Sequence, residues 1–439
     1  MAPIQKRQLG LWRTTSLVIG NMVGSGIFLL PASLGIYGAI GLFGWIFTAF
    51  GAICLALVFA RLSHNFPRIG GPYAYSREAF GDFIGFQMAW SYWVANWVSN
   101  AAVSIAFVSY LSIFFPTLNA EPTHALLLAI STVWLLTFIN IKGAGSAGII
   151  QVIATVLKII PLVAIGVLGI FHLNMDHFIP FNPTQQPTFS VINTTATLTL
   201  FAFLGLESAT VPAEAVENPK KTIPRATIIG TVLAAIIYIW TMIVILGILS
   251  PAELARSSAP FADAGRVIFG EWSVPIIAAS AAISAFGTLN GWIMLQGQMP
   301  LAAARDGLFP KLFERVTRNG TPIFGLILSS ILITVLLAMN YEASLVEQFT
   351  VIVNFTTFAI LLPYLYSSVA DLMLLFTRPN SLSKKRMIRS AIIAGLAFVY
   401  SLWAIAGSGQ EIVYLGTLFI LAGIPIYVIM KMKSEKSLN

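Results

Sequence analysis

Residues 16–35 read SLVIGNMVGSGIFLLPASLG. A stretch this apolar can cross a bilayer as one helix, for which about 20 residues suffice. Yet Gly24-Ser25-Gly26 lies where a continuous helix should run, and each glycine costs about 1 kcal/mol in a helix interior. A second interrupted stretch, residues 197–216, reads TLTLFAFLGLESATVPAEAV. There Gly205 and the ionisable Glu207 break the run and Pro212 follows. A carboxylate at membrane depth is more costly still.

Around these two stretches the chain is apolar throughout. Of 439 residues, 57% are hydrophobic and 10% charged, with mean hydropathy +0.84. Globular domains carry roughly 25% charged residues, and a soluble chain this apolar could not cover its core. An all-α membrane protein of twelve transmembrane helices is expected, with spans near 12–35, 39–62, 83–115, 123–140, 145–171, 191–217, 226–249, 273–304, 322–339, 345–375, 388–406 and 411–430. They form one integral membrane domain over 1–439 with no separate soluble unit. The single cysteine, Cys54, sits inside an apolar run, so no disulfide framework is possible. The first apolar run, from Leu11, is too long for a cleavable signal peptide.

The net charge of +8 is distributed by side. With twelve spans, Lys158 falls inside a span, Arg256 and Arg266 fall on one side, and the remaining lysines and arginines share the side of both termini. The positive-inside rule places that side in the cytoplasm, as for a multi-pass protein of the cell (inner) membrane. Basic residues scattered over many short segments do not make a nucleic-acid footprint.

Five spans separate the two interruptions. That spacing suggests inverted repeats over about 12–171 and 191–375, five helices each with discontinuous helices 1 and 6, followed by two added helices over 388–430. No clear sequence identity joins the halves, so the repeat rests on position. Interrupted helices at matching places in two halves point to a secondary transporter's binding site. Backbone freed at membrane depth is tolerated where it lines a cavity. The half-helix that starts after Gly24 would aim its first amides, at Ser25 and Gly26, towards an anion. The second break would offer carbonyls of Phe201 and Leu204 to an ammonium group. Together these suit the carboxylate and amine of an amino acid. Close helix packing through small residues is the other reading of Gly-Ser-Gly.

Glu207 is expected near the cavity, either capping the second part of the sixth span or acting as a proton-sensitive gate. Lys158, in ATVLKIIPLVA, either snorkels or braces the first, fifth and eighth spans as a cation. Tyr92, Asn96, Asn100, Trp292 and Tyr364 lie at mid-depth. Asn96 and Asn100 share a helix face, where they could bind substrate or tie helices together. The four histidines have no shared ligand spacing and no nucleophile–base grouping appears, so no enzyme, cofactor or metal is expected. Nothing resembles a channel filter.

Five segments carry a family resemblance: GNMVGSGIFLLP (20–31), GGPYAYSREAFG (70–81), FAFLGLESATV (201–211), ENPKKTIPRAT (217–227) and AAARDGLFPKLF (302–313). In this order and spacing they resemble the amino acid–polyamine–organocation superfamily over nearly the full chain, and within it the bacterial basic amino acid and polyamine antiporters of arginine/agmatine type. The resemblance implies the inverted-repeat fold, alternating access, and exchange of an amino acid for an amine or amino acid. It implies a substrate carboxylate at Ser25 and Gly26, an amine at carbonyls of Met22, Phe201 and Leu204, and a side chain running towards Ala95, Asn96, Asn100, Trp292 and Thr356. Trp292 would stack on a cationic side chain. Phe201 would be the outer gate, Trp292 a middle gate, and Tyr92, Glu207 and Tyr364 a cytoplasmic gate.

Three departures stand out. The arginine-type pattern has Trp at Phe201, Cys at Asn96 and an uncharged residue at Lys158. Proton-coupled and neutral amino acid members carry a lysine there, in the place of sodium. A proton-coupled neutral amino acid symporter or uniporter therefore stands beside the antiporter. The partners expected are small-molecule amino acid or polyamine substrates and the lipid bilayer, with no nucleic acid, and a homodimer is permitted.

Overall fold

The computed structural model describes residues 9–436 except 69, 143–146, 212, 214–215, 318–319, 340 and 378–382, and of Ser25, 147–156 and 433–436 it describes the backbone alone. Of the basic residues placed by side above, Lys6, Arg7, Arg318 and Arg378 lie outside the described residues. The helices are α1 (Leu11–Met22), α2 (Ser25–Gly35), α3 (Gly41–Asn65), α4 (Pro72–Phe80), α5 (Asp82–Leu111), α6 (Thr117–Ala120), α7 (Pro122–Lys142), α8 (Ala147–Leu168), α9 (Thr188–Leu200), α10 (Pro219–Ile248), α11 (Pro251–Arg256), α12 (Pro260–Phe269), α13 (Ser273–Arg305), α14 (Ile323–Met339), α15 (Leu345–Thr377), α16 (Lys384–Gly407), α17 (Gln410–Leu421) and α18 (Ile424–Lys436). Among the described residues, ten helical stretches are long and apolar enough to cross a membrane, and Leu157–His172 and Ile323–Met339 are shorter apolar helices.

The ends differ from the hydropathy pattern where polar residues continue a helix or proline limits it. α10 begins at Pro219, seven positions before the apolar run, because proline suits the first turn of a helix. α5 ends at Leu111, short of 115, and Pro116 follows. The last apolar run divides into α17 and α18, with Gly423 at the junction lying against the Trp90 ring.

α5 is buried along most of its length and packs against α13 and α15, while α3 packs against α10. Outside this core the chain exposes Phe43, Phe50, Leu135, Phe138, Ile236, Trp240, Val335 and Val399. An apolar surface of that extent belongs in hydrocarbon.

The short helices α4 and α12 are built alike. Each starts with proline, at Pro72 and Pro260, and ends in Phe-Gly-acid, Phe80-Gly81-Asp82 and Phe269-Gly270-Glu271. Each closing glycine has positive φ, 84° and 86°, and its N–H returns to the carbonyl of an arginine, Arg77 or Arg266. Arg77 Nε then bonds Asp82 at 3.0 Å and Arg266 Nε bonds Glu271 at 3.1 Å. α4 leads into α5 and α12 into α13. α5 spans about 45 Å at 1.5 Å per residue, so α4 sits at its start and α12, joined through Ser109 Oγ to Ser258 O at 2.6 Å, at its far end. These ends are called the α4 side and the α12 side below.

Candidate functional site

The site begins with the two interruptions. α1 stops at Met22, and Gly24 N–H turns back to Met22 O at 2.8 Å instead of reaching Gly20 O. Gly20 O is thereby released, and Lys158 Nζ occupies it at 2.9 Å together with Val23 O at 2.7 Å. Lys158 also reaches Thr288 Oγ1 at 3.4 Å, so α8 ties the broken α1 to α13. The side chain is fully buried and does not snorkel.

α9 passes into a 3-10 turn, Phe201–Phe203, and the backbone then extends at Leu204, ψ 133°. Gly205 follows at φ +103°, a conformation that L side chains rarely adopt. Beyond it a 3-10 turn covers Ser208–Thr210, and much of the second part of this span, including Pro212, lies outside the described residues. The breaks touch. A Cβ on Gly26 would lie 3.2 Å from Ala202 Cα and from Phe201 Cδ1, and Asn21 Nδ2 donates to Ser208 Oγ at 3.0 Å. Met22 O and Phe201 O each already accept one N–H, from Gly24 and from Leu204 at 3.2 Å. A carbonyl has a second lone pair, so both retain capacity.

Two small cavities adjoin the breaks. One, with an empty volume of about 250 Å³, is lined by Asn21, Met22, Gly24, Gly26, Ser99, Val103, Phe201, Leu204, Thr288 and Trp292. The other, about 220 Å³, is lined by Tyr92, Ala95, Asn96, Ser99, Leu204, Glu207, Trp292 and Ile360. Trp292, Ser99 and Leu204 are common to both. Of the residues expected around a substrate, Met22, Gly26, Ala95, Asn96, Phe201, Leu204 and Trp292 line these spaces. Asn100 and Thr356 are buried and line neither. The side chain of Ser25 lies outside the described residues, although its backbone starts α2 as expected. Asn21, Gly24, Ser99, Val103, Thr288 and Ile360 are lining residues that sequence reasoning missed. The α5 members had a signal: Tyr92, Asn96, Ser99 and Val103 follow the spacing of one helix face.

Glu207 closes the second cavity on its α4 side. Tyr92 OH donates to Oε1 at 2.7 Å, and Tyr364 OH and the Gly205 N–H, at 3.2 Å, donate to Oε2. A fully buried carboxylate is tolerable with such donors. On the other flank Phe201 meets Phe349 edge to face, with centroids 5.7 Å apart.

Behind α5 lies an amide chain. Asn100 Nδ2 donates to Gln296 Oε1 at 2.7 Å and to Asn96 Oδ1 at 3.5 Å. Gln296 Nε2 donates to Leu326 O at 3.4 Å and to Ser330 Oγ at 3.3 Å.

On the α4 side a charged cluster joins α4 to the end of α13. Asp306 accepts from Tyr73 OH, and Arg77 Nη1 lies 2.8 Å from the same carboxylate. Burial, reinforced by the hydrogen bond to Asp306 and by its charge, pushes the Tyr73 hydroxyl well above the usual tyrosine range. The cluster borders a solvent-open space of about 1280 Å³ that includes Arg68, Glu78, Ala302 and Arg305.

Comparison with known proteins agrees with this architecture. The amino acid permease family model matches residues 9–430. The chain is 39% identical over 371 residues to the cadaverine/lysine antiporter of Escherichia coli, covering 83% of each. It is 34% identical over 424 residues to the putrescine transporter PotE of Haemophilus influenzae, covering 96% of this chain and 97% of that one. To the putrescine transporter PotE of Escherichia coli it is 32% identical over 436 residues, 99% of each. With the family model spanning nearly all of its helices, this chain belongs to the amino acid permease family.

Proposed function

We propose that the protein is a secondary active antiporter that exchanges an amino acid for an amine or a second amino acid across the inner membrane by alternating access. The observation that carries this is the contact of two helix interruptions beside paired cavities that share Trp292. In this reading the α2 N-terminus at Ser25 and Gly26 takes the substrate carboxylate. Carbonyls of Met22, Phe201 and Leu204 take the amine. Trp292 covers the side chain, where its ring face favours a cation. Asn100 and Thr356 support the pocket wall from behind. Phe201, Trp292 and the Tyr92–Glu207–Tyr364 group are the gates. Lys158 fills the place of a coupling cation.

The same reading makes twelve spans of the ten long and two shorter apolar helices, in two five-helix inverted repeats with two helices added. The matched α4 and α12, at opposite ends of α5, support an inverted repeat. The positive-inside rule puts both termini in the cytoplasm. The relatives named for cadaverine, lysine and putrescine favour exchange involving an amine.

The test is exchange in proteoliposomes. Vesicles are loaded separately with lysine, cadaverine, putrescine, arginine, agmatine or alanine, and uptake of labelled lysine, arginine and alanine is followed with and without a pH gradient. Uptake that requires an internal amino acid or amine supports antiport. Uptake into empty vesicles driven by the pH gradient would replace exchange with proton-coupled symport.

A further inference from the structure

The amide chain behind α5 has a direction. A backbone carbonyl can only accept, so the end of Gln296 that faces Leu326 O, which also accepts from Ser330 Oγ at 2.9 Å, is its NH₂, and Gln296 must turn its Oε1 the other way. That oxygen requires the NH₂ of Asn100, at 2.7 Å. The same NH₂ faces Asn96 Oδ1, which leaves Asn96 presenting its NH₂. Asn96 Nδ2 and Asn100 Oδ1 are both buried and have no hydrogen-bond partner. Asn96 lines the second cavity while Asn100 and Gln296 do not. Trp292, from the same helix as Gln296, covers the cavity.

We infer that Gln296 is a positioning residue which sets the polarity of the cavity wall, so that Asn96 meets the substrate side chain as a hydrogen-bond donor. This inference rests on the proposal that the paired cavities hold the exchanged substrate. The group that fits a neutral donor is an uncharged acceptor, the hydroxyl or carboxamide oxygen of a polar neutral amino acid. Such an amino acid is one partner of the exchange. An amine counter-substrate brings only donors and is held by the Trp292 ring and Glu207, with no bond to Asn96. Gln296 acts through Asn100 and touches no substrate, so its removal should alter the choice between substrates of equal size more than it alters turnover.

The experiment compares asparagine with leucine, which match in shape and differ in the polar end, as competitors of labelled amino acid exchange in proteoliposomes. The wild type should favour asparagine by about tenfold, the scale of one neutral hydrogen bond. Gln296→Leu should bring that ratio to within about twofold while leaving competition by leucine unchanged. If Gln296→Leu does not purify as a folded protein, Gln296→Glu decides. Its carboxylate still accepts from Asn100 and cannot donate to Leu326 O, and it should raise competition by cadaverine relative to asparagine. An unchanged asparagine-to-leucine ratio in Gln296→Leu, an unchanged cadaverine ratio in Gln296→Glu, or a wild type indifferent to the polar end would overturn the inference. Trp292→Ala separates it from the reading beneath it. Loss of binding for every substrate in Trp292→Ala, with the Gln296 ratios unmoved, defeats the inference alone. Unaltered binding in Trp292→Ala defeats the cavity assignment itself.

Discussion

Lys158 Nζ lies 2.7 Å from Val23 O, a carbonyl at the point where α1 has ended and α2 has not begun. The ammonium also holds Gly20 O, so one side chain of α8 satisfies two acceptors exposed by the break. Lys158→Met keeps the length of the side chain and removes the donors. It leaves buried carbonyls unpartnered, at about 1–3 kcal/mol each. Exchange should fall at least about tenfold with a clear loss of thermal stability, the scale of one such carbonyl. Replacing sodium by choline should not change wild-type exchange. Sodium-dependent uptake would remove Lys158 from the coupling-cation position.

Gly26 is where the interruptions come together. A methyl there would press on Ala202 Cα and the Phe201 ring, each 3.2 Å from the added atom. Overpacking of this kind costs about 1–3 kcal/mol, and the neighbours are backbone and a gate candidate. Gly26→Ala should weaken substrate binding about tenfold or more, while Gly395→Ala, with open space at the same position, should be silent. Equal affinities in both would separate the breaks from the substrate site.

Much of this architecture was legible in the sequence, for identifiable reasons. Glycine and a carboxylate inside an apolar run are conspicuous, so Gly24–Gly26 and Gly205–Glu207 mark both breaks in the sequence itself. Lys158 is conspicuous for the same reason, and its bonds run to Gly20 O, Val23 O and Thr288 Oγ1. Ser99 and Val103 could be found only through the face they share with Tyr92 and Asn96, and Thr288 carries no sign of facing a cavity. The Asn100–Gln296 bond joins residues 196 positions apart, beyond any local period. The likeness of α4 to α12 was hidden because one residue more separates proline from arginine in α12, and the shared Phe-Gly-acid ending emerges once the helix ends are known.

Glu207 holds three donors from three places in the chain: Tyr92, Tyr364 and the Gly205 N–H. If the group opens and closes the α4 side, each change of state must break the two tyrosine bonds. Glu207→Gln keeps the shape but supplies a donor where the carboxylate has none. Exchange rate should fall about tenfold, as expected when a charge-assisted bond is lost, with substrate affinity changed less. Tyr364→Phe should show the same pattern more weakly. A fall in affinity alone, at constant rate, would make Glu207 a binding residue instead of a gate.

Asp306 is the point where α4 is tied to the end of α13. Tyr73 and Arg77 both hold its carboxylate beside the open space lined by Ala302. Asp306→Asn should loosen this side. In a Cys54→Ala background, Ala302→Cys should then react several-fold faster with an impermeant maleimide, the scale of one charge-assisted bond. The pH behaviour follows from Tyr73. Its folded-state pKa is raised, so the stability it contributes is complete below the unfolded value of about 10 and is lost only as pH climbs past that. The tie contributed by Tyr73 should therefore hold between about pH 7 and 9 and weaken in more alkaline solution. Once corrected for the reagent's own pH dependence, the labelling difference between wild type and Tyr73→Phe should stay constant over that range. A difference that shrinks between pH 7 and 9 would mean that the hydroxyl ionises below its ordinary value of about 10 and does not hold α4 to α13 in the way described.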